Sequence, residues 1–183
     1  MRQAWLVVTL LLLNGCTTVL YATYEVTTDQ RTFETQHLDM GIAGTIKARL
    51  LESDVKGTGW IEVYCRRGVV VLTGVVEHGS PAEREALAVA RHVEGVKRVE
   101  SFFVPSRPSL LSDYAIKLKV NARVVADWDL RLSQISMSVL AGNVVLVGVV
   151  DREDKAKKML AHARATGGVV AVKSFIQVAA PAP

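Results

Sequence analysis

The chain has 183 residues, half of them apolar, with 22 Lys plus Arg against 18 Asp plus Glu and a formal net charge of +4. That length holds one ordinary domain or two small ones, and the apolar share is enough to fill a core. If Cys16 carries lipid, Cys65 has no partner within the chain, and one thiol with four scattered histidines builds neither a disulfide framework nor a metal-ligand cluster, so no metal and no cofactor are expected.

At the start, Arg2 precedes an apolar run from Ala4 to Leu13, which ends in Leu13-Asn14-Gly15-Cys16. Such a run is too short to cross ~30 Å of hydrocarbon as a helix, and it fits the h-region of a secretory signal. A small residue followed by Cys at the end of the run resembles the bacterial lipobox. That resemblance implies a signal peptide over residues 1–15, cleavage before Cys16 and lipidation of the Cys16 thiol. An ordinary secreted signal and a short membrane anchor are the alternatives. Thr17 follows the Cys, where an Asp would resemble an inner-membrane retention signal, so the implied address is the outer membrane, facing the periplasm. Each buried CH₂ contributes roughly 0.8 kcal/mol, and two or three acyl chains make a permanent anchor.

Residues 16–36 are rich in Thr and lack periodicity, which predicts a linker away from the membrane. Beyond them the sequence repeats. Gly68-Val69-Val70-Val71-Leu72-Thr73-Gly74-Val75-Val76 aligns with Gly142-Asn143-Val144-Val145-Leu146-Val147-Gly148-Val149-Val150, an offset of 74. Gly95-Val96 through Phe102 aligns with Gly168-Val169 through Phe175 at an offset of 73, and Asp39 and Ile42 align with Asp113 and Ile116.

Each copy reads in the same order. A helix is predicted from His37 to Glu52, and its counterpart from Asp113 to Ala126. The alternation of Ile61, Val63 and Cys65, and of Ile135, Met137 and Val139, predicts a strand. Cys65 in that phase reads as a small hydrophobe on a buried face. A tight turn follows, placed at Arg67-Gly68 and at Gly142-Asn143, then a β-branched strand ending at Gly74 or Gly148. A second helix, Ala82 to Val93 and Glu153 to Thr166, carries apolar residues at helical spacing and is capped by Gly95 or Gly168. A last strand closes the unit. The fold class is therefore α+β: two tandem small α-β-β-α-β units, each a three-stranded sheet with two helices on one face. The first spans residues 37–105 and the second 112–178, with Pro105 to Pro108 between them and a frayed tail from Ala179.

Catalytic constellations are missing from this reading. The four histidines fall in separate elements, and no GxxxxGK[ST] or GxGxxG loop is present. Asp151, Glu153 and Asp154 crowd a helix start, where carboxylates favour the macrodipole. The element order is similar to that of KH units, but no Gly-x-x-Gly clamp lies between helices. No nucleic acid and no small-molecule substrate are expected.

The repeated pattern Gly-Val-Val-x-Leu-x-Gly-x-Val, a helix, then Gly-Val-x-x-Val, placed twice after a lipobox, resembles the dual BON-domain outer-membrane lipoproteins. The stretch from Thr28-Asp29-Gln30-Arg31 through Gln36 resembles that group as well. The resemblance covers Cys16 to about Val178. It implies a non-enzymatic role in envelope integrity, with anionic phospholipid bound through the second domain.

Charge adds an independent observation. Residues 17–111 hold 11 Lys plus Arg and 12 Asp plus Glu, whereas residues 112–183 hold 10 and 6. The excess lies in the second copy, and net charge bears on partners rather than fold. On its first helix, Ile116, Val120 and Val124 form the core stripe at 3.6 residues per turn. Tyr114, Leu118 and Val125 cluster on the opposite side with Ala115 and Ala122, bordered by Lys117 and Asn121 on one edge and by Lys119 and Arg123 on the other. Leu110 and Leu111 lie just before it. An apolar stripe between cations suits an interfacial helix; equally, it suits packing against the first copy. The candidate phospholipid-binding residues are Leu110, Leu111, Tyr114, Lys117, Leu118, Lys119 and Arg123. In the first copy's helix, Gly41 and Gly44 suggest either close packing, such as that of one copy on the other, or a marginal helix. The expected function is that of an anionic-phospholipid-binding lipoprotein. The alternative is an adaptor for a protein partner in an envelope-assembly machine.

Overall fold

The computed structural model describes residue 29 and residues 31–105 and 109–179. The apolar run, Cys16 and most of the Thr-rich segment lie outside the described residues, as do Pro108 and the last four residues. The first unit comprises α1 (Phe33–Glu52), β1 (Glu62–Arg66), β2 (Val69–Val75), α2 (Pro81–Arg91) and β3 (Arg98–Val104). The second comprises α3 (Leu110–Ala126), β4 (Ile135–Leu140), β5 (Asn143–Val150), α4 (Glu153–Arg164) and β6 (Ala171–Val178). Each sheet is three-stranded with the second strand central: β1-β2-β3 and β4-β5-β6. The hairpin pairs are antiparallel, with Cys65 opposite Val70 and Val139 opposite Val144. The last strand pairs in parallel, which requires the crossover that α2 and α4 supply.

Both first helices begin earlier than the sequence suggests. Thr32 caps α1 by accepting from the Thr35 N–H, so residues 33–36 are helical rather than linker. Ser109 caps α3 through the Ser112 N–H, which brings Leu110 and Leu111 into the first turn. Ahead of α1, Arg31 spans Asp29 and Asp39, with its Nη1 2.6 Å from Asp39 Oδ2. The second tight turn falls at Ala141-Gly142, not Gly142-Asn143: Ala141 and Gly142 take φ of 51° and 76°, matching Arg67 at 55° and Gly68 at 78°. Two consecutive residues at positive φ are what a two-residue hairpin with right-handed strand twist requires.

A buried carboxylate fixes each turn. Asp39 accepts the N–H groups of Arg67 (2.7 Å) and Gly68 (2.9 Å) and also the Cys65 thiol. Asp113 accepts those of Ala141 (3.0 Å) and Gly142 (2.9 Å). Burial pushes the Asp39 carboxyl up, but the two N–H donors and Arg31 outweigh it, and its pKa lies below the ordinary value. Burial and the Asp39 charge push the Cys65 thiol up to about 12, so Cys65 is an inert core residue, fully buried as its phase predicts.

One face of each sheet carries the helices. Ile46 and Leu50 of α1 and Ala86 and Ala90 of α2 pack on Cys65, Val70 and Leu72. Ile116, Val120 and Val124 of α3 and Met159 and Ala163 of α4 pack on Met137, Val144 and Leu146. The two helix-free faces pack on each other through Val71, Val145 and Val147, with Tyr64, Phe102 and Phe175 around them. The result is a four-layer α/β/β/α sandwich, with α1 and α3 on opposite outer sides. The glycines of α1 do not mediate close approach: a Cβ at Gly41 or Gly44 would meet nothing within 4 Å.

Candidate membrane-contact site

The site is built from α3. Its buried residues, Asp113, Ile116, Val120 and Val124, recur at three- and four-residue spacing and anchor one face to the sheet. The opposite face is left to solvent. Leu111 is 82% exposed, Tyr114 62%, Leu118 50% and Val125 68%, and Leu110 is likewise exposed. Because the sheets, and not the helices, join the two units, this stripe does not pack against the first copy, and the inter-domain alternative is set aside.

Lys117, Lys119 and Arg123 are all exposed along the borders of the stripe. Among the described residues, none of the three makes an ion pair. The carboxylates of this unit are engaged elsewhere. Asp113 holds the hairpin turn. Asp127 meets His162 Nε2 at 2.9 Å. Asp129 binds Lys158 at 2.7 Å and Arg152 at 2.9 Å. Asp154 pairs with Arg152, Asp151 with Lys155 and Glu153 with Lys157. The Lys158 ammonium, then the Arg152 guanidinium, holds Asp129 down at about 2. Lys155, Lys157 and Lys158 of α4 are thereby matched, and the cations of α3 are left to face an external anion.

All seven candidate residues are exposed on α3, the apolar ones along its outward stripe and the basic ones at the borders toward the core face. Sequence reasoning left out Trp128, which is 82% exposed just past the end of α3. An aromatic directly after an amphipathic helix was the available signal, because Trp is suited to membrane interfaces. No helix among the described residues is long and apolar enough to cross a membrane. No group of three or more His, Cys, Asp or Glu among them is placed to hold a metal ion.

Comparison with known proteins adds three findings. The BON domain family matches the chain twice, over residues 39–104 and 112–180. Osmotically-inducible protein Y of Escherichia coli (strain K12) is 32% identical over 146 residues, covering 76% of this chain and 72% of that protein. Two solved structures of CdsD, a structural protein of the type III secretion system of Chlamydia trachomatis, align at a TM-score of 0.32. One is of the C-terminal domain, at 15% identity over 78% of this chain and 67% of that one; the other is at 16% identity over 77% and 63%. A likeness of that size carries no argument.

Proposed function

Since this chain belongs to the BON-domain family and carries two BON domains, we infer that it is a non-enzymatic protein of the bacterial envelope whose second domain binds anionic phospholipid through the outward face of α3. The observation that carries this reading is the unpartnered apolar stripe of α3 between unpaired Lys117, Lys119 and Arg123. An interfacial helix buries its apolar side about 5–10 Å into the headgroup boundary. Basic groups near an anionic surface contribute about 1 kcal/mol each. Leu110, Leu111, Tyr114 and Leu118 enter the acyl boundary, and the cations meet lipid phosphates.

Lipidation at Cys16 belongs to the same proposal and rests on the Leu13–Cys16 motif alone. A role in envelope integrity suits a relative whose name speaks of osmotic induction.

Two tryptophans report the orientation. In a fragment of residues 17–183, Trp128 adjoins the α3 stripe, while Trp60 lies beside α1 on the other outer layer. Brominated phospholipid in anionic vesicles is expected to quench Trp128, measured in a Trp60→Phe background, and to leave Trp60 unquenched in Trp128→Phe. Equal quenching of both, or of neither, counts against this face. Absence of binding to anionic and to zwitterionic vesicles alike favours the adaptor reading, in which the stripe docks a protein.

A further inference from the structure

The duplication permits a comparison inside one molecule. Each unit has a groove at the same place, between its first helix, its hairpin turn and the loop after its second helix. In the second unit this groove is small, about 340 Å³, and Ala115, Lys119, Ala141 and Val170 line it. In the first unit the equivalent positions are Gly41, Thr45, Arg67 and Lys97, and the groove opens to about 890 Å³. Small-molecule sites occupy roughly 300–1,000 Å³. Gly41 and Thr45 are smaller than Ala115 and Lys119, which opens the helix side of the groove, whereas Arg67 and Lys97 are longer than Ala141 and Val170 and bring charge to its other side.

The lining has changed in charge as well as size. Arg49, Arg67 and Lys97 reach the groove from three separate elements, and among the described residues none of them is ion-paired. Two carboxylates are present. Asp39 is consumed by two backbone N–H groups and Arg31, which leaves Glu94 against three cations. Beside the charges lie Leu38, Ile42 and Val93, which can cover an organic body but not an inorganic ion. Guanidinium forks match phosphate oxygens in pairs, and Lys adds a point charge.

We propose that the groove of the first unit is a binding site for an organic phosphate, held by Arg49, Arg67 and Lys97, with its body on Leu38, Ile42 and Val93. The site is distinct from the α3 face and on the opposite side of the molecule. Phosphate chemistry of this kind is shared by soluble phosphate esters and by lipid headgroups, so the test has an arm for each.

The full chain, in uncharged detergent micelles and with Leu118→Asp to disable the α3 face, is titrated with glycerol 3-phosphate while the amide resonances of Gly41, Gly68 and Gly95 are followed. In the second arm the micelles are doped with phosphatidylglycerol. Saturable shifts at these glycines in the first arm identify a soluble phosphate ester, and in the second arm alone, a headgroup. Arg67→Ala with Lys97→Val installs the residues that the second unit carries at these positions, so the fold has a precedent for them; it is expected to weaken the binding at least about tenfold. Gly41→Ala adds a methyl that meets no protein atom, so it is expected to raise the unfolding midpoint while weakening the ligand. No saturable shift in either arm, or equal affinity in the double variant, overturns the proposal.

Discussion

Ser138 on β4 donates its hydroxyl to Glu62 Oε2 on β1 at 2.7 Å, joining an edge strand of one sheet to an edge strand of the other. Tyr64 donates to the same oxygen at 2.9 Å. On the same seam Arg66 donates to Ser136 Oγ, and Gln177 to the Arg66 carbonyl. These polar contacts border the Val71, Val145 and Val147 cluster and set how the sheets lie on each other. The arrangement turns both sets of helices outward, and that is why the α3 stripe is free.

The seam should make the two units unfold together. Calorimetry of residues 17–183 is expected to show one transition. Val145→Asp places an unpaired charge in the fully buried seam, at a cost of about 3–5 kcal/mol. The transition should then divide in two. A single transition of unchanged midpoint in the variant would show that the seam contributes nothing.

The turn carboxylates should matter in both units, and unequally. Asp113→Ala strands the N–H groups of Ala141 and Gly142, each costing about 1–3 kcal/mol when buried and unsatisfied. Asp39→Ala strands two such groups, deprives the Cys65 thiol of its acceptor and leaves Arg31 with Asp29 alone, so the larger loss is expected there. Urea unfolding of the two variants measures the difference.

Glycine at the end of each central strand has a steric reason that differs in degree. A Cβ at Gly148 would overlap the Gln134 carbonyl and the Ile135 side chain, and would sit 3.1 Å from Ile135 Cα. At Gly74 the nearest atom is Ile61 Cα at 3.3 Å. Gly148→Ala is expected to destabilise by about 1–3 kcal/mol or more, and Gly74→Ala by less. Thermal midpoints of the two variants give the ranking.

Acid should loosen the second unit through Asp129. Its carboxyl titrates at about 2, below the ordinary 3.8, because Lys158 and Arg152 hold the charged form. A depressed carboxylate contributes stability that is present above its unfolded pKa and lost as pH falls through its folded pKa. The contribution is therefore complete above about pH 4 and gone below about pH 2. Asp129→Asn should flatten the dependence of unfolding on pH across that window, and an unchanged profile would contradict it.

Much of the fold was legible because its signals are local and occur twice. The alternation of Ile61, Val63 and Cys65 set strand phase, and Cys65 is buried accordingly. The glycine offsets located hairpins and caps, and the 3.6-residue spacing separated Ile116, Val120 and Val124 from the outward stripe. The turn at Ala141-Gly142 was misplaced by one residue, since a Gly-Asn pair is itself a good hairpin turn and only the Asp113 contacts fix the register. The start of α1 at Phe33 was missed because residues 33–36 have no apolar period; Thr32 and the Arg31 bridge to Asp39 set that end. The seam between sheets is a long-range relationship, yet it had a trace. The central strands are continuous apolar runs, Val69–Leu72 and Val144–Val147, and a strand covered on both faces reads that way. Which stripe stays exposed could not be read without that seam.

The most direct test of the central claim is co-sedimentation of residues 17–183 with vesicles of phosphatidylglycerol and, separately, of phosphatidylcholine. Binding is expected to the anionic vesicles alone, to weaken with salt, to fall at least about fivefold with Lys117→Glu, and to be lost with Leu118→Asp. Binding to anionic vesicles that survives both substitutions, or no binding to either vesicle, would contradict the assignment of α3 as the phospholipid-binding face.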